Sequence, residues 1–306
     1  MKNIWSEKIT PIVVTFNPNI SRLAKLLVSL TNFNNVKLVD NGSININELK
    51  QLIQEHGNVQ ALFLSLNSGL AEAQNKAINL IEKKGSESRF IILFDQDSVP
   101  VENCIDVLYG YAKELVNQGE KLGVIGPALL DSFSDSRFGF IKNGKRFYKE
   151  EAENNIFECD GINSSGSLIP LTVWQELGGN NDELFIDHVE TDWCFRARAA
   201  GYTCYGTFDA LLSHSMGEST LKYWLFGWRT MPDRTPNRHY YLFRNSIFLQ
   251  QQDYVPRSWK ILNIIKLFLT AGYFSIFTKK RLKHICNMWN GVIDGLRKCS
   301  GVNRRA

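Results

Sequence analysis

The sequence lacks a long hydrophobic run: its longest apolar stretch without a charged residue spans residues 267–278. Spanning a bilayer takes about 20 consecutive apolar residues, so a transmembrane helix is not expected. No secretory signal is recognisable either, because residues 1–10 are polar and the apolar run at residues 12–14 is too short for one. Internal repeats and low-complexity tracts are also absent. We therefore expect a globular protein in the cytoplasm.

Cysteine is sparse, and none of the six cysteines lies in a CxxC pair or at zinc-finger spacing. Without a secretory signal, free thiols are expected in preference to disulfides. The sequence shows no arrangement of a nucleophilic serine or cysteine. It also lacks the Gly-rich, basic phosphate loop that nucleotidyltransferases usually carry near their first strand. These absences disfavour a disulfide scaffold, a zinc finger and a nucleotidyltransferase.

Acidic residues are nearly missing from the C-terminal segment. Residues 257–306 contain 11 of the 35 Lys and Arg residues but only one of the 31 Asp and Glu residues, a net charge of +10. The overall charge of +4 therefore leaves −6 on residues 1–256. A basic tail on an acidic body is typical of proteins that bind nucleic acid or an anionic membrane surface. No nucleic-acid recognition motif accompanies the basic residues, so a membrane surface is favoured.

The N-terminal part alternates between strand-like and helix-like patterns. Strands are predicted at residues 9–15, 36–39, 61–66 and 90–94, and helices after Ser21 and through residues 71–84. Further strands are predicted at 123–130 and 166–169, followed by a short helix at 171–177 that two glycines end. This order predicts an α/β fold with a mostly parallel sheet and helices on both faces.

Polar residues follow the carboxyl end of each predicted parallel strand. In open α/β sheets this edge is where ligands bind, so we expect these residues to share one site. They are Thr15, Asn17, Asp40, Asn41, Asn67, Asp95 and Asp97.

The Asp-Gln-Asp motif at residues 95–97 follows an apolar strand. Paired carboxylates at a strand end suit Mg²⁺ or Mn²⁺, which prefer oxygen ligands and share them with substrate phosphates. A second acidic group, Asp187, Glu190 and Asp192, lies at the start of a predicted helix. Acids there stabilise the helix dipole, but one could also act as a general base. His214 is a candidate third metal ligand.

Four motifs in order resemble the family 2 glycosyltransferases with a GT-A fold, over about residues 9–245. The motifs are Val-Asp-Asn-Gly-Ser at 39–43, the segment 67–75, Asp-Gln-Asp-Ser at 95–98 and the stretch 185–196. The last two together are similar to bacterial rhamnosyltransferases of O-antigen and capsule assembly. The resemblance implies transfer of L-rhamnose from dTDP-β-L-rhamnose, with inversion, to a glycan acceptor linked to polyprenyl diphosphate.

The resemblance also assigns roles to residues. Asp97 would bind the metal on the diphosphate, His214 would complete the metal shell, and Asp95 would lie beside the ribose or sugar and the metal. The base is favoured to be Glu190, six residues before Arg196, but Val189 replaces the acid that usually precedes it, so Asp187 and Asp192 stay open. The donor-binding set is Thr15, Asn17, Asp40, Asn41, Asn67, Gly69, Asn75, Asp95 and Gln96.

The chain is expected to divide into a catalytic domain and a tail. Residues 1–256 form the GT-A domain, with a nucleotide part to about 125 and an acceptor part over about 126–256. Residues 257–306 form a basic amphipathic helical segment that lies on the inner face of the bacterial cytoplasmic membrane, or packs on the body or a dimer partner. Other donors such as UDP-glucose or UDP-galactose, and a non-catalytic nucleotide-binding scaffold, remain alternatives.

Overall fold

The computed structural model describes residues 5–82, 88–131, 137–142, 144–148, 154–214, 220–224, 228–232 and 234–303. The strands are β1 (Ile9–Thr15), β2 (Val36–Asp40), β3 (Val59–Phe63), β4 (Phe90–Asp95), β5 (Ser98–Pro100), β6 (Leu122–Asp131), β7 (Phe140–Lys142), β8 (Lys145–Phe147), β9 (Ile156–Glu158), β10 (Leu168–Pro170), β11 (Thr203–His214), β12 (Thr220–Trp224) and β13 (Trp228–Pro232). The helices are α1 (Ile20–Ser29), α2 (Ile46–Gln54), α3 (Leu70–Glu82), α4 (Cys104–Asn117), α5 (Leu171–Glu176), α6 (Val189–Ala199), α7 (Pro236–Gln250), α8 (Arg257–Ile276) and α9 (Arg281–Leu296).

One large sheet organises the molecule, in the order β3-β2-β1-β4-β10-β6-β11-β5, with β9 also paired to β11. Strands β3, β2, β1 and β4 run parallel, and so do β6 and β11. The short strand β10 runs antiparallel between β4 and β6. The sheet is thus mostly parallel, as the strand and helix order predicts.

The alternation of side chains along β1 shows why the sheet is covered on both faces. Ile9 and Val13 point into one core with α1, α2 and α4, whereas Ile12 and Val14 point into the other with α3, α5 and α6. All four side chains are buried. Successive strand residues face opposite sides, so an uninterrupted apolar strand requires a core on each side.

Two local expectations are wrong in detail. Strand β3 covers Val59–Phe63, two to three residues earlier than predicted, because Leu64 and Leu66 belong to the loop that leads to the ligand edge. Helix α1 is capped by Asn19, whose Oδ1 accepts the Arg22 N–H over 3.1 Å. Ser21 lies inside the helix and donates its hydroxyl to Asn19. Asn19 is the better cap because its carboxamide oxygen reaches the N–H three residues ahead.

The last two helices pack on the body through α7. An added Cβ at Gly291 of α9 would lie 2.5 Å from the Tyr240 carbonyl oxygen, and one at Gly295 would lie 2.7 Å from that of Arg244. Only glycine allows such a close backbone approach between α9 and α7. Leu267, Phe274 and Met288 bury their side chains against the same helix. Within the described ranges, no helix is long and apolar enough to cross a membrane.

Candidate active site

The carboxyl ends of β1 and β2 hold a polar cluster around Asp40, which is fully buried. The Thr15 hydroxyl donates to Asp40 Oδ1 over 2.9 Å, and the Ser43 N–H donates to Asp40 Oδ2 over 3.0 Å. Asn17 joins the cluster because its N–H donates to Ser43 Oγ over 2.7 Å. The structure therefore brings Thr15, Asn17 and Asp40 together at the sheet edge.

A second group links the ends of β2 and β3. The Asn41 side-chain amide donates to Asn67 Oδ1 and to the Gly69 carbonyl oxygen, each over 3.0 Å. Asn41 Oδ1 accepts the Ser68 N–H over 2.8 Å, and Asn67 Oδ1 accepts the Gly69 N–H over 2.9 Å. These bonds fix the loop before α3 with its backbone beside the Asp40 cluster.

Gly69 must be glycine for two reasons. Its φ of +95° is rarely adopted by other residues, and an added Cβ would lie within 2.6–2.8 Å of Phe185. The next residue, Leu70, donates its N–H to the Phe185 carbonyl oxygen over 2.6 Å. The loop at Asn67–Gly69 is therefore joined to the turn that precedes α6.

The Asp-Gln-Asp motif turns away from β4 at the same edge. Gln96 clamps the end of β1, since its Oε1 accepts the Phe16 N–H over 2.8 Å and its Nε2 donates to the Phe16 carbonyl oxygen over 3.3 Å. The Asp95 N–H donates to Ser165 Oγ over 3.0 Å. The carboxylates of Asp95 and Asp97 are each partly accessible to solvent.

The oxygen ligands that this motif offers fit a hard divalent cation. Asp95 and Asp97 offer carboxylate oxygens, and Mg²⁺ or Mn²⁺ commonly takes its other ligands from water and substrate phosphate. The register places His214 opposite Ser98, directly after Asp97, but the His214 side chain lies outside the described part of the structure. Among the side chains that are described, no group of three or more His, Cys, Asp and Glu residues is arranged to hold a metal ion.

Asn75 is engaged in a different contact from the one its motif implies. Its Nδ2 donates to the Asn180 carbonyl oxygen over 2.9 Å, and its Oδ1 accepts the Asn180 N–H over 2.9 Å. Gln74 continues this network by accepting from Asn180 Nδ2 and donating to Ser164. Both polar atoms of Asn75 thus hold the loop between α5 and α6.

Of the three acids near α6, Glu190 faces the cavity between the sheet and this helix. It is partly accessible and lines a small, mostly apolar cavity of about 20 Å³, together with Gln74, Ser164, Asn180 and Trp193. Burial raises the pKa of Glu190 above its ordinary value, and the negative charges of Asp187 and Asp95 act in the same direction. A carboxylate with a raised pKa at a cavity wall is chemically suited to accept a proton.

Asp187 and Asp192 are instead bound by cationic side chains. Asp187 accepts two hydrogen bonds from Arg238, each over 2.9 Å, and one from Arg234 Nη1 over 2.6 Å. Burial acts to raise the pKa of Asp187, but the two arginines outweigh it and hold that pKa below its ordinary value. Asp192 is fully buried and accepts from Arg196 Nε over 2.8 Å and from the Tyr254 hydroxyl.

The turn before α6 has an unusual backbone. Phe185, Asp187 and His188 have backbone φ angles of 61°, 66° and 64°. Residues other than glycine seldom adopt positive φ angles. Asn245 holds this turn, because its Nδ2 donates to the carbonyl oxygens of Leu184, Ile186 and Asp187, each over 2.8 Å. Backbone strain of this kind persists only where surrounding contacts impose it.

The sequence interpretation missed three of these residues: Arg234, Arg238 and Asn245. The two arginines lie 47 and 51 residues after Asp187, beyond the reach of any local pattern. The two arginines are four residues apart and flank Thr235-Pro236, where α7 starts. This spacing was the available signal, because it can bring both guanidinium groups to one side. Asn245 gave no signal, since a buried amide within a helix resembles an ordinary polar position.

The chain is similar in sequence and in fold to known glycosyltransferases. Residues 10–160 match the family model described as Glycosyl transferase family 2. The chain is 27% identical over 303 residues to the dTDP-rhamnosyl transferase RfbF of Shigella flexneri. The alignment covers 98% of this chain and 99% of that relative.

Two solved structures share the fold. The structure of GalNAc-T7 with UDP, GalNAc and Mn²⁺ superposes with a TM-score of 0.58 at 13% identity, covering 95% of this chain and 56% of that one. The structure of S. aureus TarS superposes with a TM-score of 0.51 at 15% identity, covering 97% and 50%. This chain thus spans about half the length of each. Residues 10–160 thus form a family 2 glycosyltransferase domain, the fold resembles GT-A glycosyltransferases, and the chain is similar to a dTDP-rhamnosyl transferase.

Proposed function

We propose that the protein transfers L-rhamnose from dTDP-β-L-rhamnose, with inversion, to a glycan acceptor carried on polyprenyl diphosphate. The observation that carries this proposal is the position of Glu190, which lines the cavity. The pKa of its carboxyl group is raised by burial and by the nearby negative charges of Asp187 and Asp95. The similarity to a dTDP-rhamnosyl transferase over nearly the whole chain supports the choice of donor.

The donor nucleotide is assigned to the polar edge formed by β1, β2 and β3. The buried Asp40 carboxylate accepts from Thr15 and Ser43 and would hold this edge in shape for the nucleobase and ribose. The Asn67–Gly69 loop lies beside it with its backbone fixed by Asn41. Because these groups are already bonded to one another, little ordering is needed when the nucleotide binds.

Asp97 and Asp95 would hold Mg²⁺ or Mn²⁺, with His214 as a further ligand. When bound, the metal would neutralise charge on the departing nucleoside diphosphate. The remaining chemistry belongs to the side chains of the chain itself. Arg238, whose charge reaches both Asp95 and Glu190, would add positive potential at the same edge of the cavity.

Glu190 would take the proton of the acceptor hydroxyl as that oxygen attacks the anomeric carbon. Its raised pKa gives Glu190 a higher proton affinity than an ordinary glutamate, whereas Asp187 is held ionised by two arginines and Asp192 is buried against Arg196 and Tyr254. One displacement from the face opposite the leaving group inverts the centre, so a β-linked donor gives an α-rhamnoside. A covalent intermediate is not required.

We also propose that α8 and α9 rest on the anionic inner face of the bacterial cytoplasmic membrane, which would make the protein a peripheral membrane enzyme of the cytoplasm. These helices expose large apolar side chains together with basic ones, the pattern of an interfacial anchor. The exposed apolar set is Ile261, Leu262, Ile264, Ile265, Phe268, Leu269, Ile276, Leu282, Ile285, Trp289 and Leu296.

A panel of nucleotide sugars tests the proposal. The purified protein is given dTDP-rhamnose, UDP-glucose or UDP-galactose, with Mg²⁺, Mn²⁺ or a chelator, and nucleoside diphosphate release is measured. We expect release from dTDP-rhamnose alone, lost with the chelator, and an α-linkage in the product by NMR. Turnover of a UDP-sugar would reassign the donor, and a β-linked product would exclude inversion. No turnover with any donor, with nucleotide binding retained, would favour the non-catalytic scaffold.

A further inference from the structure

Four cationic side chains lie between the strained turn, the β7–β8 hairpin and helix α8. We call Arg146, Arg234, Arg238 and Lys266 the cationic cluster. Arg234 and Arg238 share the carboxylate of Asp187 through three hydrogen bonds. Both arginines keep part of their side chains exposed, at 29% and 43%, so they can still reach a ligand.

Helix α8 brings Lys266 to this place. Near its start, the Trp259 ring packs edge-on against His188, with the ring centroids 5.5 Å apart. One turn later, Leu262 Cδ1 lies 3.0 Å from where a Cβ would stand on Gly144, between β7 and β8. Lys266 follows Leu262 by four residues and therefore lies on the same face of α8. That face is turned toward the hairpin that carries Arg146 and toward the turn that carries Asp187.

Within the described part of the chain, the cationic cluster carries more positive charge than the acid in contact with it. Among the described side chains, Asp187 is the acid that contacts the cluster, and it is already shared by two arginines. Lys266 is exposed and forms no hydrogen bond or ion pair with the described residues. Partial withdrawal from water lowers the pKa of Lys266, and the positive charges of Arg234 and Arg146 lower it further. An anion placed here would relieve this repulsion.

The cluster has one end at the donor edge and one end away from it. The charge of Arg238 is felt by Glu190 and reaches Asp95, which places this arginine beside the catalytic cavity. The groups that shift the pKa of Lys266 are Arg234, Arg146 and Asp187. Geometry separates Lys266 from the Asp-Gln-Asp motif: Lys266 follows Leu262, which meets Gly144 between β7 and β8, whereas the motif follows β4. An anion at Lys266 would therefore contact different elements from a donor diphosphate at Asp95 and Asp97.

Apolar surface continues from Lys266 along α8. Ile265, Phe268 and Leu269 are 51%, 75% and 50% exposed, and at positions i, i+3 and i+4 they share a face of α8 next to the one that carries Lys266. We infer that the cationic cluster binds the diphosphate of the polyprenyl-linked acceptor, with the isoprenoid chain running over Ile265, Phe268 and Leu269. This inference rests on the proposed function, and it names the acceptor site that the proposal requires.

Binding without any donor tests the site directly. The affinity of the protein for polyprenyl diphosphate, polyprenyl alcohol, inorganic diphosphate and dTDP is measured in neutral detergent for the wild type, Lys266→Gln and Lys283→Gln. The last variant is the matched control, because Lys283 is an exposed lysine of the same tail on α9. We expect Lys266→Gln to bind polyprenyl diphosphate about tenfold more weakly, the loss of one charge-assisted contact. Lys283→Gln should bind as the wild type does, and the alcohol should bind weakly to all three.

Several outcomes overturn the inference. Equal weakening by both variants would indicate a diffuse effect of tail charge, as for anionic phospholipid headgroups. Equal affinity for polyprenyl alcohol and polyprenyl diphosphate would show that the cationic cluster does not bind the phosphate groups. Weaker binding of dTDP by Lys266→Gln would place the cluster in the donor site. Because this assay involves no turnover, its result is separable from the donor panel, and either proposal can fail while the other stands.

Discussion

The side-chain amide of Asn245 donates a hydrogen bond to the carbonyl oxygen of Asp187 over 2.8 Å. The same amide also holds the carbonyl oxygens of Leu184 and Ile186. One buried side chain on α7 thus fixes the turn that begins the catalytic helix α6, although the two segments are far apart in the sequence. Asn245 contacts the backbone of that turn, and we propose that it acts on the reaction by positioning Glu190.

Asn245→Ala should destabilise the protein and slow turnover. Removing the amide leaves buried carbonyl oxygens without donors, at a cost of about 2–4 kcal/mol in the free energy of unfolding. The strained turn would relax, so kcat should fall and the apparent pKa of the acid limb in the pH–rate profile should shift. Urea denaturation and a pH profile measure both effects. Asn237→Ala, on the exposed side of the same helix, is the control, and equal effects of the two variants would contradict the positioning role.

Glu190→Gln should reduce turnover by about 10²–10⁴, the usual contribution of a general base. Donor affinity should stay nearly unchanged. The same substitution should stabilise the fold at neutral pH, because the folded-state pKa of Glu190 is raised, so its ionisation costs stability once the pH exceeds the ordinary value of 4.5. The gain in melting temperature should vanish below that pH. Thermal melts from pH 4 to pH 8 decide this, and a variant less stable at pH 7.5 would contradict the assignment of burial as the main cause.

Asp187→Asn should show the opposite dependence of stability on pH. The folded-state pKa of Asp187 is lowered by Arg238 and Arg234, so its carboxylate stabilises the fold above its ordinary value of 3.8 and this contribution is lost as the pH falls below it. The variant should therefore be less stable than the wild type at pH 7 and similar to it in strong acid. Its pH–rate profile should keep the acid limb that Glu190 supplies. A profile that loses this limb in Asp187→Asn, but not in Glu190→Gln, would make Asp187 the base.

Asp97→Asn should abolish transfer with the fold intact, because a carboxylate that binds the metal beside the leaving diphosphate would be lost. Retention of more than about a tenth of the activity, a loss of only ~1.4 kcal/mol, would count against this role. His214→Ala should be milder, since water can replace a neutral ligand. Activity is titrated with Mn²⁺ for both variants, and circular dichroism confirms the fold.

The exposed face of α8 makes a prediction about membranes. Phe268→Ser should weaken binding to phosphatidylglycerol vesicles, because this side chain is 75% exposed beside basic residues. Ile44→Ser is the matched control, since Ile44 is 90% exposed but lies at the sheet edge. Added salt should weaken binding of the wild type, as basic residues near an anionic surface contribute about 1 kcal/mol each. Equal vesicle binding by both variants would make α8 a surface for protein contacts.

Deleting the tail would be a poor test of the same idea. The sequence suggests a detachable segment after residue 256, because charge and composition change there. In the structure, however, α9 lies so close to α7 that Gly291 and Gly295 meet backbone carbonyl oxygens. Removing α9 would expose the buried side chains of α7, so loss of function could not be separated from loss of the fold.

The strands of the parallel half were predictable because each is mainly apolar and is followed by polar residues. The match of β1 to residues 9–15 follows from this, since burial on both faces favours apolar side chains along the strand, and its one interior polar residue, Thr10, is itself buried. Helix α4 was not predicted, although Asn103 at its N-cap and Asp106 in its first turn are residue types common at helix starts. In the structure Asn103 has φ of 62° and makes no side-chain cap bond. The antiparallel insertion of β10 was not predicted either, because strand direction depends on how the chain returns.

The candidate site residues likewise divide into those that a local sequence pattern reveals and those that depend on distant contacts. Asp95, Asp97 and Asp40 follow strand ends and were accessible to a pattern argument. The distinction between Glu190, Asp187 and Asp192 was not, because all three lie within six residues and carry the same charge. Their roles diverge through partners elsewhere in the chain: Arg234 and Arg238 for Asp187, and Arg196 and Tyr254 for Asp192.

The bond from the Leu70 N–H to the Phe185 carbonyl oxygen has a consequence for engineering. Gly69 is packed against Phe185 with no room for a Cβ, and the Phe185 turn is held in turn by α7. A chimaera that imports a foreign loop at residues 67–70 to change the sugar donor would meet the wrong partner at this contact. A chimaera with a new donor specificity therefore has to receive three segments together: residues 67–70, residues 184–188 and the face of α7 around Asn245.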